Sequence, residues 1–259
     1  MKEKISITIN KNLLRNIDSL IDRLYIRNRS QAIEYLIDKV LGTEKTAVIL
    51  AGGDEESLRI SPEEYCLTAK RGTTTVLGLA LKTLRKHNFK KVYLVARHKV
   101  LTKAFELAGD GSSHGIKLTY VEEKTSQGTF DTLKLLKGKI SSNFLVVYGD
   151  IVFDSINLQS LWDTHSMSNA VATLLLTTSA TPSQKGNVSM QGKQVLRFIQ
   201  KPPQSDNYLV FSPIFVTEPE IFDRHGHSLE LDVFPELTKK ELLSGHLSPV
   251  KEEHVHKPR

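Results

Sequence analysis

At 259 residues, with 39% hydrophobic and 25% charged residues, the chain has the composition of a soluble globular protein made of one large domain or two unequal ones. No apolar run approaches the ~18 residues needed to span a bilayer, the first residues lack the apolar core of a signal peptide, and the lone Cys66 cannot close an internal disulfide. These features predict a cytoplasmic protein, and the formal net charge of +6 permits a polyanionic partner without requiring one.

In chain order, the first segment is short and basic: residues 1–42 carry eight Lys or Arg against five Asp or Glu. "KISITINKN" alternates, with Ile5, Ile7 and Ile9 on one face and Lys4, Ser6 and Thr8 on the other, which predicts a strand. Asn10 or Asn12 suits a helix cap, and Leu13, Ile17, Leu20, Ile21 and Leu24 follow at helical spacing. "RNRS" ends that helix, Ser30 is placed to cap a second one through Leu41, and Gly42 supplies a stop. Forty residues bury too little to stand alone, and an isolated strand has two unpaired edges. A dimer answers both needs: two strands form an antiparallel ribbon over four helices. Its polar face would present Lys4, Ser6 and Thr8 twice, a shape and chemistry that fit the DNA major groove, while Asn28, Arg29 and Ser30 would offer a helix start to a phosphate.

The segment over residues 3–41 resembles the ribbon-helix-helix family of dimeric DNA-binding modules. The resemblance implies base reading by Lys4, Ser6 and Thr8, a phosphate grip at Asn28, Arg29 and Ser30, duplex DNA as partner, and a homodimer or higher homo-oligomer. The alternative use of such a unit is dimerisation alone, with a solvated outer face.

From Lys45 the pattern changes. "TAVILAGG", "KKVYLVAR", "IKLTYVEE", "FLVVYGD" and "AVATLLLTT" read as buried strands, and "TVLGLALKTLRKHN" as a helix between the first two. The alternation predicts an α/β domain over residues 43–259: a Rossmann-like, mainly parallel sheet with helices on both faces. Ligands in such sheets bind beyond the carboxyl ends of the strands, where Gly52, Gly53 and Asp150 would meet. Pairs of histidines in "HGH" and "HVH" read as polar surface, and "AGDGSSHG" as a surface loop.

Residues 45–250 resemble the sugar-phosphate nucleotidyltransferases (nucleotide-diphospho-sugar transferase-like fold), through motifs in the right order. "LAGG" with Ala51, Gly52 and Gly53 is similar to the family's nucleotide-binding opening, and "TAK" ends in Lys70, similar to its following lysine. "EEKTSQGTFDTL" centres on Gln127, Gly128 and Thr129, similar to the stretch that receives the base and sugar. "YGD" supplies Asp150 as metal ligand, and "FIQKP" supplies Lys201 for the sugar phosphate. The resemblance implies that an NTP and a sugar 1-phosphate give an NDP-sugar and pyrophosphate, with Mg²⁺ on Asp150. Attack of one phosphate on another needs positive charge and no protein nucleophile.

The chain departs from that pattern in three places. Asp54, Glu55 and Glu56 stand where the loop would offer glycine and bare amides, with an arginine only at Arg59, which is expected to restore the charge. Phe211 and Pro213 replace a sugar-contacting asparagine and a glycine. A second metal carboxylate is not evident, and Asp232 reads as part of a packing helix. These departures leave a second function open: a transcription regulator whose degenerate domain senses a nucleotide or nucleotide-sugar.

Overall fold

The computed structural model describes residues 5–21, 26, 28–41, 45–61, 64–125 and 127–255. The chain divides into two compact units, one of residues 1–43 with 166–168, the other of the remainder.

The first unit holds two helices, α1 (Lys11–Asp18) and α2 (Arg29–Leu41). Asn10 caps α1, its side chain accepting from the Asn12 amide at 2.9 Å. The cap of α2 is Asn28, which accepts from the Gln31 amide at 3.0 Å, so Ser30 sits inside the helix instead of before it. An Asx side chain reaches the third amide of a helix from the residue just before it, and Asn28 comes first. Ile17, Ile26 and Ala32 form a small core between the helices. The expected strand is not formed: residues 5–10 join no strand ladder among the described residues, and Ile5 and Ile7 are 71% and 53% exposed. Within one chain a single extended segment has no ladder partner. Lys4, Leu24 and Gly42 lie outside the described residues.

The second unit runs β1 (Lys45–Ala51), α3 (Glu55–Leu58), β2 (Arg59–Ser61), β3 (Glu64–Tyr65), β4 (Lys70–Arg71), β5 (Thr74–Thr75), α4 (Val76–Lys86), β6 (Phe89–Ala96), α5 (His98–Ala108) and β7 (Lys117–Glu122). It continues through α6 (Thr129–Lys134), β8 (Phe144–Tyr148), β9 (Ile151–Val152), α7 (Leu158–Ser166), β10 (Ala172–Thr178), β11 (Gly186–Gln191), β12 (Gln194–Gln200), β13 (Leu209–Thr217), α8 (Phe234–Lys239), β14 (Leu243–Leu247) and β15 (Glu253–His254). Among the described helices, none is long and apolar enough to cross a membrane.

Nine strands form one mixed sheet in the order β10-β14-β12-β11-β13-β8-β1-β6-β7. The run β8-β1-β6-β7 is parallel throughout, as the alternation of apolar strands with helices predicts. Beyond it the sheet turns mixed: β13 is antiparallel to β8, β11 and β12 form a hairpin, and only β10 and β14 pair in parallel. The mainly parallel expectation therefore describes one half. In the other half β11 and β12 are joined by a tight turn, and a tight turn allows only an antiparallel pair.

Strand β1 shows why its sequence is apolar throughout. Ala47, Ile49 and Ala51 enter the core cluster beneath α4 and α5, while Val48 and Leu50 enter the cluster on the opposite face with Phe130 and Leu133 of α6. Each fully buried Leu, Ile or Val contributes roughly 1.5–3 kcal/mol. The second cluster includes Phe198, Phe211, Phe215 and Phe234, with ring centroids 5.3–6.4 Å apart. Phe211 is thus a core aromatic as well as a residue of the edge where β8 ends.

Candidate functional site

At the carboxyl edge of the parallel strands two places hold the sequence-predicted residues. The first is the turn after β1. Here the amide of Gly53 donates to Oε2 of Glu123 at 2.6 Å, and Glu123 is 1% exposed. The other carboxylate oxygen accepts the Thr132 hydroxyl. Arg97 completes the cage: its Nε lies 3.4 Å from Glu123 Oε2 and donates to the Gly53 carbonyl at 3.0 Å. A Cβ on Gly52 would fall 2.6 Å from the Glu123 carboxylate, so the close approach requires glycine there. The amide that a phosphate cradle would present is thus held by the protein's own carboxylate.

The acidic residues after it are also accounted for locally. Glu55 Oε1 accepts from Arg59 at 2.8 Å, from Lys99 at 3.1 Å and from the Tyr65 hydroxyl at 3.1 Å. Lys99 first, then Arg59 and Tyr65, hold its carboxyl below the usual glutamate range. Glu56 is exposed, 3.5 Å from the same arginine. Arg59, expected to restore positive charge to the loop, is paired with Glu55 and Glu56, its i−4 and i−3 neighbours. Lys70 is exposed on the β4–β5 hairpin, its backbone amide bound to Glu64 at 3.0 Å, and does not line the cleft described next.

The second place is a cleft of about 300 Å³ lined by Tyr148, Asp150, Lys185, Gln200, Lys201 and Glu230, with Phe211, Pro213 and His254 completing its wall. Asp150 follows β8, and its carbonyl accepts from the Val255 amide at 2.8 Å. Its carboxylate makes no hydrogen bond or ion pair among the described residues. Lys201 enters from the end of β12 with φ 44°, the left-handed region, where a non-glycine residue costs roughly 1 kcal/mol. Its amide donates to the Lys185 carbonyl at 3.0 Å, which holds the two lysines side by side.

Gln127, Gly128 and Thr129 reach the cleft only at second hand. Gln127 is exposed and its amide bonds Asp131 at 3.1 Å. A Cβ on Gly128 would lie 2.5 Å from the His227 carbonyl. Thr129 donates to Glu230 at 2.7 Å, and the other oxygen of Glu230 accepts the Tyr148 hydroxyl. Burial, with Glu230 beside it, pushes the Tyr148 phenol well above its ordinary value, so it stays a donor. Asp232 accepts the His227 and Ser228 amides at 2.8 and 2.9 Å, a structural role as expected.

Two groups of the cleft wall and one buried behind it carried no signal in the sequence. Glu252, in a stretch that reads as a polar tail, is buried, with Oε1 2.8 Å from Lys185 Nζ and 3.1 Å from His254 Nε2, and Oε2 accepting Ser212 Oγ at 2.6 Å. Burial pushes its carboxyl up, but the bonds from His254, Lys185 and Ser212 outweigh burial and hold it at about 2. Lys185 and Gln200 look like ordinary surface residues in the sequence; only the β11–β12 hairpin brings them to Asp150. His256 lies outside the described residues.

In the first unit, Ser6, Thr8, Asn28, Arg29 and Ser30 are all exposed. Arg29 is held bidentately by Asp18 at 2.7 and 2.8 Å, and the Asn28 side-chain oxygen accepts the capping amide of Gln31.

Among the described residues, no three His, Cys, Asp or Glu side chains converge as a metal site. Of the two carboxylates that line the cleft, Glu230 is held by Thr129 and Tyr148, and Asp150 offers a hard, charged oxygen without a partner among the described residues. That fits a divalent ion such as Mg²⁺, which takes one or two carboxylates and fills its shell with phosphate oxygens and water.

Comparison with known proteins bears on the family and the fold. A protein of Sulfolobus acidocaldarius named "putative mannose-1-phosphate guanyltransferase" is 29% identical over 203 residues, which are 74% of this chain and 54% of that protein. The mannose-1-phosphate guanylyltransferase of Mycobacterium tuberculosis is 27% identical over 203 residues, 74% of this chain and 55% of its own length. The chain thus spans about half the length of the curated relatives it matches. In fold, it superposes with a TM-score of 0.71 at 17% identity on a Bacillus anthracis structure named "putative glucose-1-phosphate thymidylyltransferase", solved with sucrose, covering 81% of this chain and 89% of that one. The family model described as nucleotidyl transferase matches residues 46–248, most of the chain, and the chain belongs to that family.

Proposed function

We propose that the second unit joins an NTP and a sugar 1-phosphate into an NDP-sugar and releases pyrophosphate. The observation that carries this reading is the unpartnered Asp150 carboxylate in one cleft with Lys201, at the carboxyl edge of a nucleotidyl transferase sheet. A sugar-phosphate oxygen attacks the α-phosphorus, a new P–O bond forms, and the bond to the pyrophosphate breaks. Lys201 neutralises the attacking phosphate, which removes part of the repulsion between two anions. Asp150 would hold Mg²⁺, which when bound supplies charge to the phosphate oxygens. Ala51, Gly52 and Gly53 border the nucleotide with their conformation set by Glu123. The names of the relatives make GTP and mannose 1-phosphate the first pair to try.

The test is titration calorimetry with each NTP and dTTP in the presence of Mg²⁺, comparing wild type with Asp150→Asn, followed by pyrophosphate release with hexose 1-phosphates. Mg²⁺-dependent binding of one triphosphate that Asp150→Asn weakens, with pyrophosphate release, is the expected result. Silence across the whole panel sinks the enzyme reading.

A second reading concerns the first unit, as a dimeric ribbon that binds duplex DNA through Lys4, Ser6 and Thr8. What supports it is the exposure of Ile5 and Ile7 beside polar Ser6 and Thr8, which a second copy pairing strand to strand would bury. Sedimentation should then give a homodimer, and fluorescence anisotropy should show duplex binding that falls steeply with salt. A monomer without salt-sensitive DNA binding rejects it. If a triphosphate binds without turnover and shifts DNA affinity, the second unit serves as a sensor and the protein as a regulator.

A further inference from the structure

Residues 76–117, from the start of α4 to the start of β7, carry nine Lys or Arg against two Asp or Glu, an excess larger than the formal net charge of +6 on the whole chain. The fold sorts these cations to opposite ends. A helix between parallel strands must carry the chain back, so α4 ends at the amino edge of the sheet, where β6 and β7 begin. Arg97 and Lys99 follow β6 to the carboxyl edge and are answered there by Glu123 and Glu55, and Lys103 lies 3.4 Å from Glu106. Lys82, Arg85, Lys86, Lys90, Lys91 and Lys117 belong to the amino edge, away from the cleft.

At that edge like charges stand together. Lys82 and Lys86 are both exposed and one helical turn apart, and Lys91 is paired with Lys117 across the β6–β7 ladder. Pairings of this kind destabilise helices and sheets. Arg85 lies along the loop before β7: its Nε is 2.8 Å from where a Cβ of Gly115 would stand. Among the described residues, Lys82, Arg85, Lys86, Lys91 and Lys117 meet no carboxylate. Asp110, the acid of that loop, is tied to the Ser112 amide at 2.9 Å. Burial first, then Lys86 and Lys45, hold the His87 imidazole below its ordinary value, in keeping with a positive field. The carbonyl end of α4 accounts for Arg85 and Lys86 but offers nothing to Lys91 and Lys117, which lie on strands.

We propose that this amino edge grips the phosphate backbone of duplex DNA without reading its sequence. Cations that have no carboxylate of their own displace the counterions of a polyphosphate, and the phosphates in turn relieve the repulsion among them. Nucleic acid fits better than a bilayer, because α4, β6 and β7 expose no large apolar side chain to enter the headgroup region. The inference stands apart from both readings above, since the cleft lies at the other end of the sheet and the ribbon belongs to the first unit.

The experiment uses the full chain and a fluorescent duplex of mixed sequence, with anisotropy followed from about 50 to 200 mM salt. Wild type should bind with a Kd that rises steeply with salt. Lys86→Gln, Lys91→Gln and Lys117→Gln combined should weaken binding at low salt by at least about tenfold. They should also lower the slope of log K against log salt by about three, since each phosphate contact contributes roughly 0.9. The same differences should appear with a duplex of another sequence, and in a background of Thr8→Glu, which perturbs the first unit. Triphosphate binding at the cleft, whatever its strength in wild type, should not change. The denaturation midpoint of the triple variant should hold or rise slightly, because like charges are relieved; a structural role for these lysines would lower it. Wild-type affinity and slope in the triple variant overturn the proposal, as does loss of all duplex binding in Thr8→Glu alone. A wild type that ignores duplex DNA at low salt overturns it too, including one that sediments with phosphatidylglycerol vesicles or binds polyglutamate through the same lysines.

Discussion

The glycine turn after β1 and the cleft after β8 lie at the same carboxyl edge and are built from the same residue types, yet they differ in what they leave undone. At the turn every prominent charge is answered within the chain: Glu123 by the Gly53 amide, Thr132 and Arg97, and Glu55 by Arg59, Lys99 and Tyr65. At the cleft, Asp150, Lys201 and the oxygen of Gln200 have no such partners, although Glu252 a few ångströms away has three. The turn spends its polar groups on its own shape, and the cleft keeps some in reserve. Capacity for chemistry follows the unspent groups, which a count of charges per motif does not reveal.

Removing a spent group should therefore damage the fold, while removing an unspent one should damage only function. Glu123→Ala breaks a buried pair and orphans the Thr132 hydroxyl and the Gly53 amide, and chemical denaturation should show a loss of about 3–5 kcal/mol. Asp150→Asn, on the same edge, should stay within about 0.5 kcal/mol of wild type while losing Mg²⁺-dependent triphosphate binding. Equal losses from the two substitutions would erase the distinction.

Glu252 sharpens it within the cleft itself, because it is the spent member of an unspent site. Its folded carboxyl titrates at about 2 against an ordinary value of 4.5. A depressed carboxylate contributes stability above the unfolded value and loses it as pH falls through the folded one. Wild type should thus lose up to about 3 kcal/mol between pH 4.5 and 2 from this group, a loss missing from Glu252→Gln when unfolding is followed across that range.

The same distinction explains what the sequence made legible. Strand β1 and the parallel run were readable because burial on both faces writes a continuous apolar string, and Asp150 and Lys201 were readable because each ends or follows such a string within a familiar motif. Lys185, Gln200 and Glu252 were not: they come from two sides of a hairpin and a polar tail, and meet only through antiparallel pairing whose register no local pattern records. The local partners of Arg59 were legible too, since Glu55 and Glu56 stand one helical turn before it and engage its guanidinium. The N-terminal strand failed differently: its alternation is legible, but residues 5–10 join no strand ladder among the described residues.

Gly52 offers a middle case. A methyl group there must push aside the buried Glu123 carboxylate from 2.6 Å, which should cost roughly 1–3 kcal/mol of stability by denaturation and loosen the turn. If Gly52→Ala were neutral, the turn would be softer than its hydrogen bonds imply, and Glu123 could yield its place to a phosphate.

The smallest effect is expected at Glu55, and it separates geometry from charge. Its carboxylate is satisfied by a half-buried Arg59, the buried Tyr65 hydroxyl and an exposed Lys99, and ion pairs this close to solvent contribute little to stability. Glu55→Gln should leave the melting midpoint almost unchanged. Its effect on triphosphate affinity is the informative part. If the turn borders the nucleotide, deleting the negative charge frees Arg59 and Lys99 to face the phosphates, and calorimetry should show tighter binding that fades with added salt, as expected for screened charges. Unaltered affinity at low salt would mean that the phosphates sit beyond the reach of this turn, held by the Asp150–Lys201 cleft alone, and the acidic residues after Gly53 would then be a closed surface with no part in the reaction.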